Sequence, residues 1–517
     1  MTAPSSAPAV RPHRDDTVLG VLRSPRLLTR EALAGIVTTL ALVPEVISFS
    51  VIAGVDPMVS LVASIVLALV MSLLGGRPAM VTAAAGSVAL VIAPLVRAHG
   101  VEYVLPAVLL AGVIQIAFGT AGLARLMRFI PRSVMIGFVN ALGILIFMAQ
   151  VPHLIDVPWI VYPLFVLTIV IVVLLPRLTK AVPAPLVAIV VVTVIVVAAG
   201  LDVTTVGDEG EMGGGLPGLT PWLVPFSLET LGIILPTALS VAFVGLMETL
   251  LTAKLVDDIT ETPSRKGKES WALGVANIAA GAYGGIAGCA MIGQTVVNVK
   301  IGRARTRVST VVAGLFLLLL VTALSEVMAR IPMVALAAVM MIVAISTVDW
   351  HSVRPSTLRR MPIPETLVMV VTVAVVVATD NLALGVAVGV LLAMVLFARR
   401  IAHVIRVERT VEGGAARADD SAPGSAGPGR DASVRYDVIG PLFFGSSNDL
   451  VEHFSYADDP ARVTIDLTRA SVWDASSVAA LDAVGTKYAA HGVEVEFVGL
   501  DERSTEFHGR LTGRLGS

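Results

Sequence analysis

Two glutamates inside apolar runs are the side chains of this sequence best placed to carry out chemistry. Glu45 follows Pro44 in ALVPEVISFSV, and Glu248 lies in SVAFVGLMETLLTAKL. A charge near the middle of a bilayer costs at least about 2.5–3.5 kcal/mol, so an ionisable residue there is a functional candidate unless it only hydrogen-bonds a neighbouring helix. Thr252 lies one turn after Glu248 on the same helix face. The pair predicts a site for a proton, or for Na⁺ with help from backbone carbonyls.

Two short stretches rich in glycine and alanine have the pattern of interrupted helices. The first is GGRPAMVTAAAGSVALVIAPL, in which Ser87 is a good helix N-cap, and the second is GGIAGCAMIGQTVVNVKIG. Each predicts an extended segment followed by a half-helix that begins near mid-membrane, unless its small residues only permit close helix packing. Two such segments in matching positions mark the binding site of an inverted-repeat carrier. Their free N–H groups and positive dipole ends would attract an anion.

The overall composition indicates that these residues belong to a membrane protein. The chain has 517 residues, of which 56% are hydrophobic and 15% charged, with a mean hydropathy of +0.85. A soluble domain has about 25% charged residues, so the composition predicts a polytopic α-helical membrane protein and excludes a typical soluble enzyme. The single cysteine, Cys289, excludes a disulfide framework and a cysteine-rich metal site. The net charge of −2 gives no indication of nucleic-acid binding.

Two further classes of function are disfavoured by motifs. The sequence has no G-x-x-x-x-G-K nucleotide-binding motif, which argues against an enzyme and against an ATP-driven pump. His99 and His153 fall in predicted outer loops, where a solvated side chain is a simpler interpretation than a metal ligand. We therefore expect no cofactor and no metal, only a coupling ion.

Fourteen apolar segments fill residues 31–400, the predicted transport domain. A membrane-spanning helix needs about 20 residues. Residues 1–30 form a predicted cytoplasmic segment with five arginines, and they lack the pattern of a cleaved signal peptide. The predicted spans are 31–54, 57–75, 79–97, 102–121, 131–150, 157–176, 181–200, 227–253, 270–284, 287–299, 306–326, 331–348, 363–380 and 382–399.

The distribution of cations predicts the orientation of these spans. If the N-terminus is cytoplasmic, the outer loops hold only Arg97 and Arg330 as cations, and the inner loops hold the other loop lysines and arginines. This asymmetry follows the positive-inside rule and requires an even number of spans with both termini in the cytoplasm. We expect a multi-pass protein of the bacterial cytoplasmic membrane, whose basic inner loops also lie close to anionic lipids.

The composition changes after Ile401. Residues 401–432 are predicted to be a linker, rich in Gly, Ala, Ser and Pro from 412 onward, and residues 433–517 a small cytoplasmic domain. Strands are predicted at 434–444, 462–467 and 493–500, and helices at 446–454, 475–491 and 504–511. Alternating strands and helices predict an α/β fold.

The chain resembles the SulP family of anion permeases, also called solute carrier family 26, over roughly residues 30–512. PEVISFSVIAGVDP is similar to the family's P-Q-x-(I/L)-A-(Y/F)-A motif in span 1, and IPRSVMIGFVNALGI to the stretch that enters span 5. GGIAGCAMIGQTVVNVKIGRARTRVS resembles the tenth span and its basic loop. The C-terminal domain resembles a STAS domain, the module shared with anti-sigma-factor antagonists.

This resemblance implies an architecture and a site. The architecture is a 7+7 inverted repeat divided into a core and a gate domain, with an elevator-like cycle and a homodimeric assembly in the lipid bilayer. Glu248 and Thr252 match the acidic residue and the threonine that bind the coupling cation in sodium-dependent bicarbonate members, where the acid is Asp. The implied anion-site residues are Glu45 and Phe49 in span 1, Ala85, Gly86 and Ser87 in span 3, and Met291, Ile292, Gly293 and Gln294 at the start of the span-10 half-helix.

One departure from the family pattern shapes the expected substrate. Many relatives have Arg before the T-V-V-N stretch, whereas this chain has Gln294, so no Lys or Arg remains in the implied site. Each helix dipole contributes only about half a charge, and a dianion is then hard to hold unless a proton accompanies it. We expect electroneutral H⁺/anion symport, with Na⁺ as the alternative ion. The expected substrate is bicarbonate, a C4-dicarboxylate or sulfate.

The STAS-like domain has its own candidate. Its helix begins Asp474-Ala475-Ser476-Ser477, where the soluble antagonists have D-S-S-G with a phosphorylated second Ser, so Ser476 is a candidate phosphosite. The simpler interpretation is that Asp474 and Ser476 cap the helix. A cytoplasmic regulator is the partner that such a domain would bind.

Two rival functions remain open. A nucleobase permease has a similar 7+7 architecture, although the STAS-like domain and the span-1 motif argue against it. The other rival is an uncoupled anion channel or exchanger, or a membrane-tethered sensor that does not transport.

Overall fold

The computed structural model describes residues 17–124, 130–179, 183–210, 218–402, 405–412 and 433–512. The chain divides into two compact units, Met1–Val390 and Leu391–Ser517. The first contains almost all of the apolar helices, and the second contains a four-stranded sheet.

The helices of the apolar part follow one another with short connections. The first nine are α1 Val18–Arg23, α2 Pro25–Ala53, α3 Pro57–Leu74, α4 Gly86–His99, α5 Val104–Thr120, α6 Arg132–Gln150, α7 Val161–Leu178, α8 Ala184–Ala199 and α9 Val206–Glu209. The next eight are α10 Leu228–Thr260, α11 Lys266–Gly281, α12 Ile292–Val296, α13 Arg307–Ala329, α14 Met333–Thr347, α15 Pro355–Leu358, α16 Ile363–Thr379 and α17 Leu382–Ala402. Two three-residue strands, β1 Thr82–Ala84 and β2 Gly288–Ala290, precede α4 and α12.

Local sequence explains several helix ends. Pro25 and Pro57 open α2 and α3, where a missing N–H is tolerated because the first turn has no intrahelical acceptor for it. Gly54 ends α2 with a φ of 73°, a left-handed conformation that glycine adopts without steric cost.

Each of the fourteen predicted spans corresponds to a helix, or to a strand followed by a helix, in the structure. Within the described residues, eight helices are long and apolar enough to cross a membrane, and four shorter apolar helices accompany them. The boundaries differ from the predictions where helices continue into polar sequence. Helix α2 begins at Pro25 rather than at residue 31, so the predicted N-terminal segment 1–30 overlaps the first span, and α10 extends to Thr260 rather than to residue 253.

The helices pack in two groups. Helix α13 packs on α2 and α3, and α11 packs on α3 and α5. In the other group, α6 packs on α14 and α16, and α7 packs on α8 and α14. Small residues permit these close approaches, as where α5 and α11 cross: a Cβ on Gly112 would lie 2.7 Å from the Gly274 carbonyl oxygen.

The C-terminal unit forms an α/β domain. Its strands are β3 Arg406–Glu412, β4 Ser433–Leu442, β5 Arg462–Val472 and β6 Glu494–Val498, and its helices are α18 Ser447–Glu452, α19 Ala475–Ala490 and α20 Glu502–Leu511. The sheet order is β3-β4-β5-β6, with β3 antiparallel to β4 and the other neighbours parallel. All six predicted strands and helices of this domain are present, because its buried core supplies a strong apolar pattern in residues such as Tyr436, Ile465 and Leu481.

The predicted linker 401–432 is wrong over its first part. Helix α17 continues to Ala402, and Arg406–Glu412 pairs with β4 as the edge strand β3. The sequence RVERTVE is charged and largely exposed, so it lacks the apolar alternation by which a strand is predicted. Its position is fixed by tertiary contacts instead, since Arg409 donates two hydrogen bonds to Asp459 at 3.0 and 2.8 Å. Residues 403–404 and 413–432 of the predicted linker lie outside the described residues.

Candidate functional site

The two interrupted spans meet at a short antiparallel crossing. Strand β1 pairs with β2, with Thr82 opposite Ala290 and Ala84 opposite Gly288. Both strands are fully buried, and the half-helices α4 and α12 begin at Gly86 and Ile292, shortly after them. The predicted arrangement of an extended stretch followed by a half-helix is confirmed in both places. The predicted N-cap is wrong, because Ala85 rather than Ser87 occupies the cap position of α4.

Side chains of α10 and α11 satisfy the edge of β2 that faces away from β1. Asn277 accepts a hydrogen bond from the Gly288 N–H at 2.8 Å and donates to the Gly288 carbonyl at 3.2 Å. Thr249 accepts from the Ala290 N–H at 3.0 Å. These groups replace a third strand, which the apolar interior requires because unpaired backbone groups are costly there. Asn277 was not singled out from the sequence, although a buried amide in an apolar helix is a signal of this kind.

The Glu248 carboxyl lies directly at the crossing. Its Oε2 accepts hydrogen bonds from the Ser87 hydroxyl and from the Cys289 thiol, the latter at 3.1 Å. Glu248 is 7% exposed, and its neighbour Cys289 is fully buried. The structure thus brings together Glu248 of α10, Ser87 of α4 and Cys289 of β2. Sequence reasoning missed the role of Cys289, because it depends on the register of β1 and β2.

The Thr252 hydroxyl bonds backbone carbonyls and not the Glu248 carboxyl, with which its spacing pairs it. Its hydroxyl donates to the backbone carbonyls of Glu248, at 2.8 Å, and of Ala290, at 3.2 Å. The hydroxyl hydrogen is therefore shared between two backbone carbonyls, one in α10 and one in β2, and is not directed at the Glu248 carboxyl. Thr252 lies one helical turn after Glu248, and its hydroxyl bonds the strand that carries Cys289.

Helix α2 contacts both half-helices through one face. The Phe49 ring packs on the start of α4, where a Cβ on Gly86 would lie 2.6 Å from Phe49 Cε1. One turn earlier, the Glu45 carboxyl faces the side-chain amide of Gln294 in α12. The predicted span-1 residues and the two half-helices therefore form a single site.

The start of α12 faces free space. A Cβ on Gly293 would meet no heavy atom within 4 Å, and Gly293 is exposed while its neighbours Met291 and Gln294 are buried. The first-turn N–H groups of a helix have no intrahelical acceptor and carry a partial positive charge. None of the residues named at this site is Lys or Arg, so the positive potential here comes from backbone N–H groups.

Buried carboxylates anchor the segments that lead into and out of the crossing. Glu269 accepts hydrogen bonds from the backbone N–H groups of Gly76 and Arg77, just before β1. Glu31 accepts from the Arg305 N–H at 2.7 Å, after α12. Neither carboxylate was predicted to be functional. Both accept hydrogen bonds from backbone amides of polar loops, which is a structural role.

In the C-terminal domain, the start of α19 is closed by Asp474. Its Oδ1 accepts from the N–H and the hydroxyl of Ser477, at 3.0 and 2.9 Å, and its Oδ2 accepts from the Phe444 N–H at 2.6 Å. The predicted cap is therefore right for Asp474 and wrong for Ser476, whose side chain is exposed. The backbone N–H three residues after the cap position donates to the cap side chain, which is the usual geometry of an N-cap.

His99 and His153 are the two histidines weighed above as possible metal ligands. His99 packs against the Tyr103 ring with centroids 5.5 Å apart. Across the part of the chain that the structure describes, no group of three or more His, Cys, Asp or Glu residues is arranged to hold a metal ion.

Comparison with known families identifies both parts of the chain. The profile of the sulfate permease family matches residues 28–161 and 155–372, and the profile of the STAS domain matches residues 428–508.

Individual proteins match over most of the chain. The putative sulfate transporter YbaR of Bacillus subtilis is 48% identical over 478 residues, covering 92% of this chain and 95% of that protein. The bicarbonate transporter BicA of Synechocystis is 26% identical, covering 77% and 75% of the two chains.

Solved structures have the same fold. The transmembrane domain of a cyanobacterial bicarbonate transporter BicA aligns with a TM-score of 0.61 at 25% identity, covering 72% of this chain and 98% of that domain. The murine Slc26a9 anion transporter in its inward-facing state aligns with a TM-score of 0.79 at 17% identity, covering 93% and 87%.

Proposed function

Because the chain belongs to the sulfate permease family, we propose that it is a secondary active transporter that carries a small anion across the bacterial cytoplasmic membrane together with a proton. The observation that carries this proposal is the position of Glu248 at the crossing of β1 and β2, where, among the described residues, its carboxyl accepts hydrogen bonds from the neutral donors Ser87 and Cys289 alone. A buried carboxyl beside an anion site is suited to take up and release a proton during each cycle.

The anion binds between the starts of α4 and α12, beside Phe49 and Glu45. Free backbone N–H groups and helix dipoles attract it, and the side-chain amide of Gln294 supplies a further donor. Two helix ends contribute together about one positive charge. One positive charge suits a monovalent anion such as bicarbonate, or a more highly charged anion that is transported together with a proton.

The names of relatives narrow the substrate class. YbaR is named a putative sulfate transporter and BicA a bicarbonate transporter. We therefore place sulfate and bicarbonate in the candidate set for this chain. C4-dicarboxylates stay in the set as the further class expected from the sequence.

The donors around Glu248 favour a proton over Na⁺. Sodium prefers several oxygen ligands, whereas one of the two groups at Oε2 is a thiol, a soft ligand that suits other metals. The Thr252 hydroxyl donates to the Ala290 carbonyl, which takes up one of the two lone pairs that this oxygen could offer to Na⁺. A proton requires no such ligand set.

The transport cycle that we propose is an elevator. The group formed by α2–α5 and α10–α13 carries the site and moves against the group formed by α6–α8, α14, α16 and α17. The protein works as a homodimer with both termini in the cytoplasm. The STAS domain is the contact for a cytoplasmic regulator, and phosphate on the exposed Ser476 at the start of α19 would be favoured by the helix dipole.

Uptake into proteoliposomes tests this function. Labelled sulfate, bicarbonate, chloride and a C4-dicarboxylate are compared with and without an inward proton gradient, and in the presence or absence of a sodium gradient. We expect at least one anion to accumulate with the proton gradient alone. Accumulation that requires sodium, or uptake that is indifferent to both gradients, would contradict proton symport. Counter-flow of uracil would support the nucleobase alternative instead.

A further inference from the structure

Next to the crossing, a hydroxyl and a small cavity remain unexplained by the anion site. We propose that a single ordered water molecule occupies this cavity, between β1 and the helices α2, α3 and α13, and that it is held by Thr82. The inference concerns how the crossing is completed and does not depend on which anion or coupling ion is transported.

The hydroxyl of Thr82 is the first observation. Thr82 is 1% exposed, and its Oγ1 has no hydrogen-bond partner among the residues that the structure describes. A buried polar group without a partner costs about 1–3 kcal/mol, so buried hydroxyls in native proteins are nearly always paired with protein atoms or with water. Since β1 is a structural element of the site, an unpaired hydroxyl within it calls for a partner that belongs to the folded state.

The cavity beside Thr82 is the second observation. It has a volume of about 10 Å³, close to the space that one water molecule needs. Besides Thr82, it is lined by three hydroxyl-bearing residues, Thr38, Thr39 and Ser64, and by five apolar residues. A cavity with several polar groups and room for one molecule is of the kind that water fills, whereas dry cavities have apolar walls.

The hydrogen-bond directions of the lining hydroxyls specify the ligand. Thr38 donates its hydrogen to the Ala34 carbonyl at 2.7 Å, and Ser64 donates to Ser60 at 2.8 Å. Thr39 donates to the Gly35 and Ala313 carbonyls, both at 3.0 Å. These three oxygens therefore have only lone pairs left, while Thr82 also retains its hydrogen. The occupant must donate to some groups and accept from another, as water does.

An ion fits this cavity less well than water. The lining includes no carboxylate, so a cation would be buried without a compensating charge, and it would leave the hydrogen of Thr82 without an acceptor. An anion would face lone pairs of the three donating hydroxyls. The water, in contrast, links β1 to Thr38 and Thr39 of α2, the helix that also carries Glu45 and Phe49.

A cryo-electron microscopy map of the full-length protein in lipid nanodiscs, at a resolution that shows ordered waters, tests this proposal. We expect a peak about 2.6–3.2 Å from Thr82 Oγ1 and within the same range of at least one other lining hydroxyl. A map that shows other buried waters but no peak here would overturn the proposal. A peak that appears with sodium in the buffer and disappears without it would also overturn it, in favour of an ion.

Two variants and a control identify Thr82 as the group that holds the water. Thr82→Ser keeps the hydroxyl and should keep the peak, whereas the nearly isosteric Thr82→Val should lose it. Thr168→Val serves as the matched control, because Thr168 is equally buried and its hydroxyl bonds only the Leu164 carbonyl in α7. A peak that persists in Thr82→Val, or that is lost from Thr168→Val as well, would contradict a site held by Thr82. If Thr82→Val does not fold, the wild-type map still decides whether a water lies within hydrogen-bond distance of Thr82 Oγ1.

Discussion

In the site that we propose, Gln294 determines how much positive charge faces the anion. It is buried at the start of α12 and its amide faces Glu45, so this end of the site has a neutral donor where an arginine would place a full charge. A hydrogen bond to a charged group is worth about 1.5–3 kcal/mol, roughly twice a neutral one. The side chain at this position therefore sets the preferred charge of the substrate.

Replacement of Gln294 by Arg should shift the preference toward dianions. Part of the added charge is neutralised by Glu45, so we expect the ratio of sulfate to bicarbonate affinity to rise about tenfold, which corresponds to about 1.4 kcal/mol. Competition of unlabelled anions against labelled substrate in proteoliposomes measures this ratio. Gln294→Leu provides the control for side-chain volume without charge. An unchanged ratio in Gln294→Arg, with transport intact, would argue against this placement of the anion.

The two carboxylates and the two interrupted helices could be singled out from the sequence alone, but the hydrogen bonds between them could not. Glu45 and Glu248 stand out because intramembrane carboxylates are rare, and Gly86 and Gly293 because segments rich in glycine and alanine predict interrupted helices. Cys289 could not be assigned, since its contact with Glu248 depends on the pairing register of two three-residue strands, which no local pattern encodes.

At the scale of elements, the crossing depends on side chains that substitute for backbone pairing. Asn277 alone satisfies both backbone groups of Gly288, and it also donates to Gln115 Oε1 at 2.8 Å. Its removal would leave an N–H and a carbonyl buried in an apolar interior. The strand that carries Cys289 would then lose its main anchor to α11.

Asn277→Ala should therefore destabilise the protein by about 1–3 kcal/mol. Thermal unfolding of the detergent-solubilised protein is the measurement, and we expect a lower midpoint together with weaker uptake. Thr322→Ala is a suitable control, because the exposed Thr322 bonds only carbonyls of its own helix. Equal midpoints for Asn277→Ala and the wild type would contradict the anchoring role.

The edge strand β3 is held by an ion pair to a buried carboxylate in addition to its backbone pairing with β4. Arg409 bonds Asp459, whose other oxygen accepts from the hydroxyls of Tyr436 at 2.6 Å and Tyr488 at 2.5 Å. The Asp459 side chain is completely buried while that of Arg409 is 39% exposed. This contact explains why a charged segment without apolar alternation forms a strand, and why the sequence predicted a linker there.

Arg409→Ala should loosen β3 without unfolding the rest of the domain. We expect faster amide hydrogen exchange in residues 406–412 of the full-length protein, because the strand loses its only side-chain hydrogen bonds to the buried carboxylate. Arg406→Ala is the matched control, since Arg406 is 75% exposed and lies 3.9 Å from Glu408. Similar exchange in the two variants would show that backbone pairing alone holds the strand.

At the scale of the whole molecule, the chain is an apolar helical unit followed by a STAS domain. The alternation of basic and acidic loops predicts the number and direction of the spans, and a helix lies in each predicted segment. What the sequence could not provide is the packing of helices into two groups, because this depends on contacts between residues far apart in the chain, such as Gly112 and Gly274.

Deletion of the C-terminal unit tests whether the membrane part transports alone. The structure places the cut after Ala402, since removal of residues after 412 would leave β3 without its partner β4. We expect measurable anion uptake by the truncated protein, reduced in rate by less than about tenfold, which corresponds to a barrier change below about 1.4 kcal/mol. Light scattering confirms the oligomeric state of each preparation. Complete loss of uptake in a folded dimer would make the STAS domain part of the transport mechanism.

The central claim is that Glu248 carries the proton that drives anion uptake. Its most direct test compares wild type, Glu248→Gln and Glu229→Gln in proteoliposomes with an inward proton gradient. Glu229 is an exposed residue in the first turn of the same helix and controls for the substitution itself. We predict gradient-driven accumulation in the wild type and in Glu229→Gln and none in Glu248→Gln, which should retain exchange of anion at equal pH. Gradient-driven accumulation by Glu248→Gln would contradict the account.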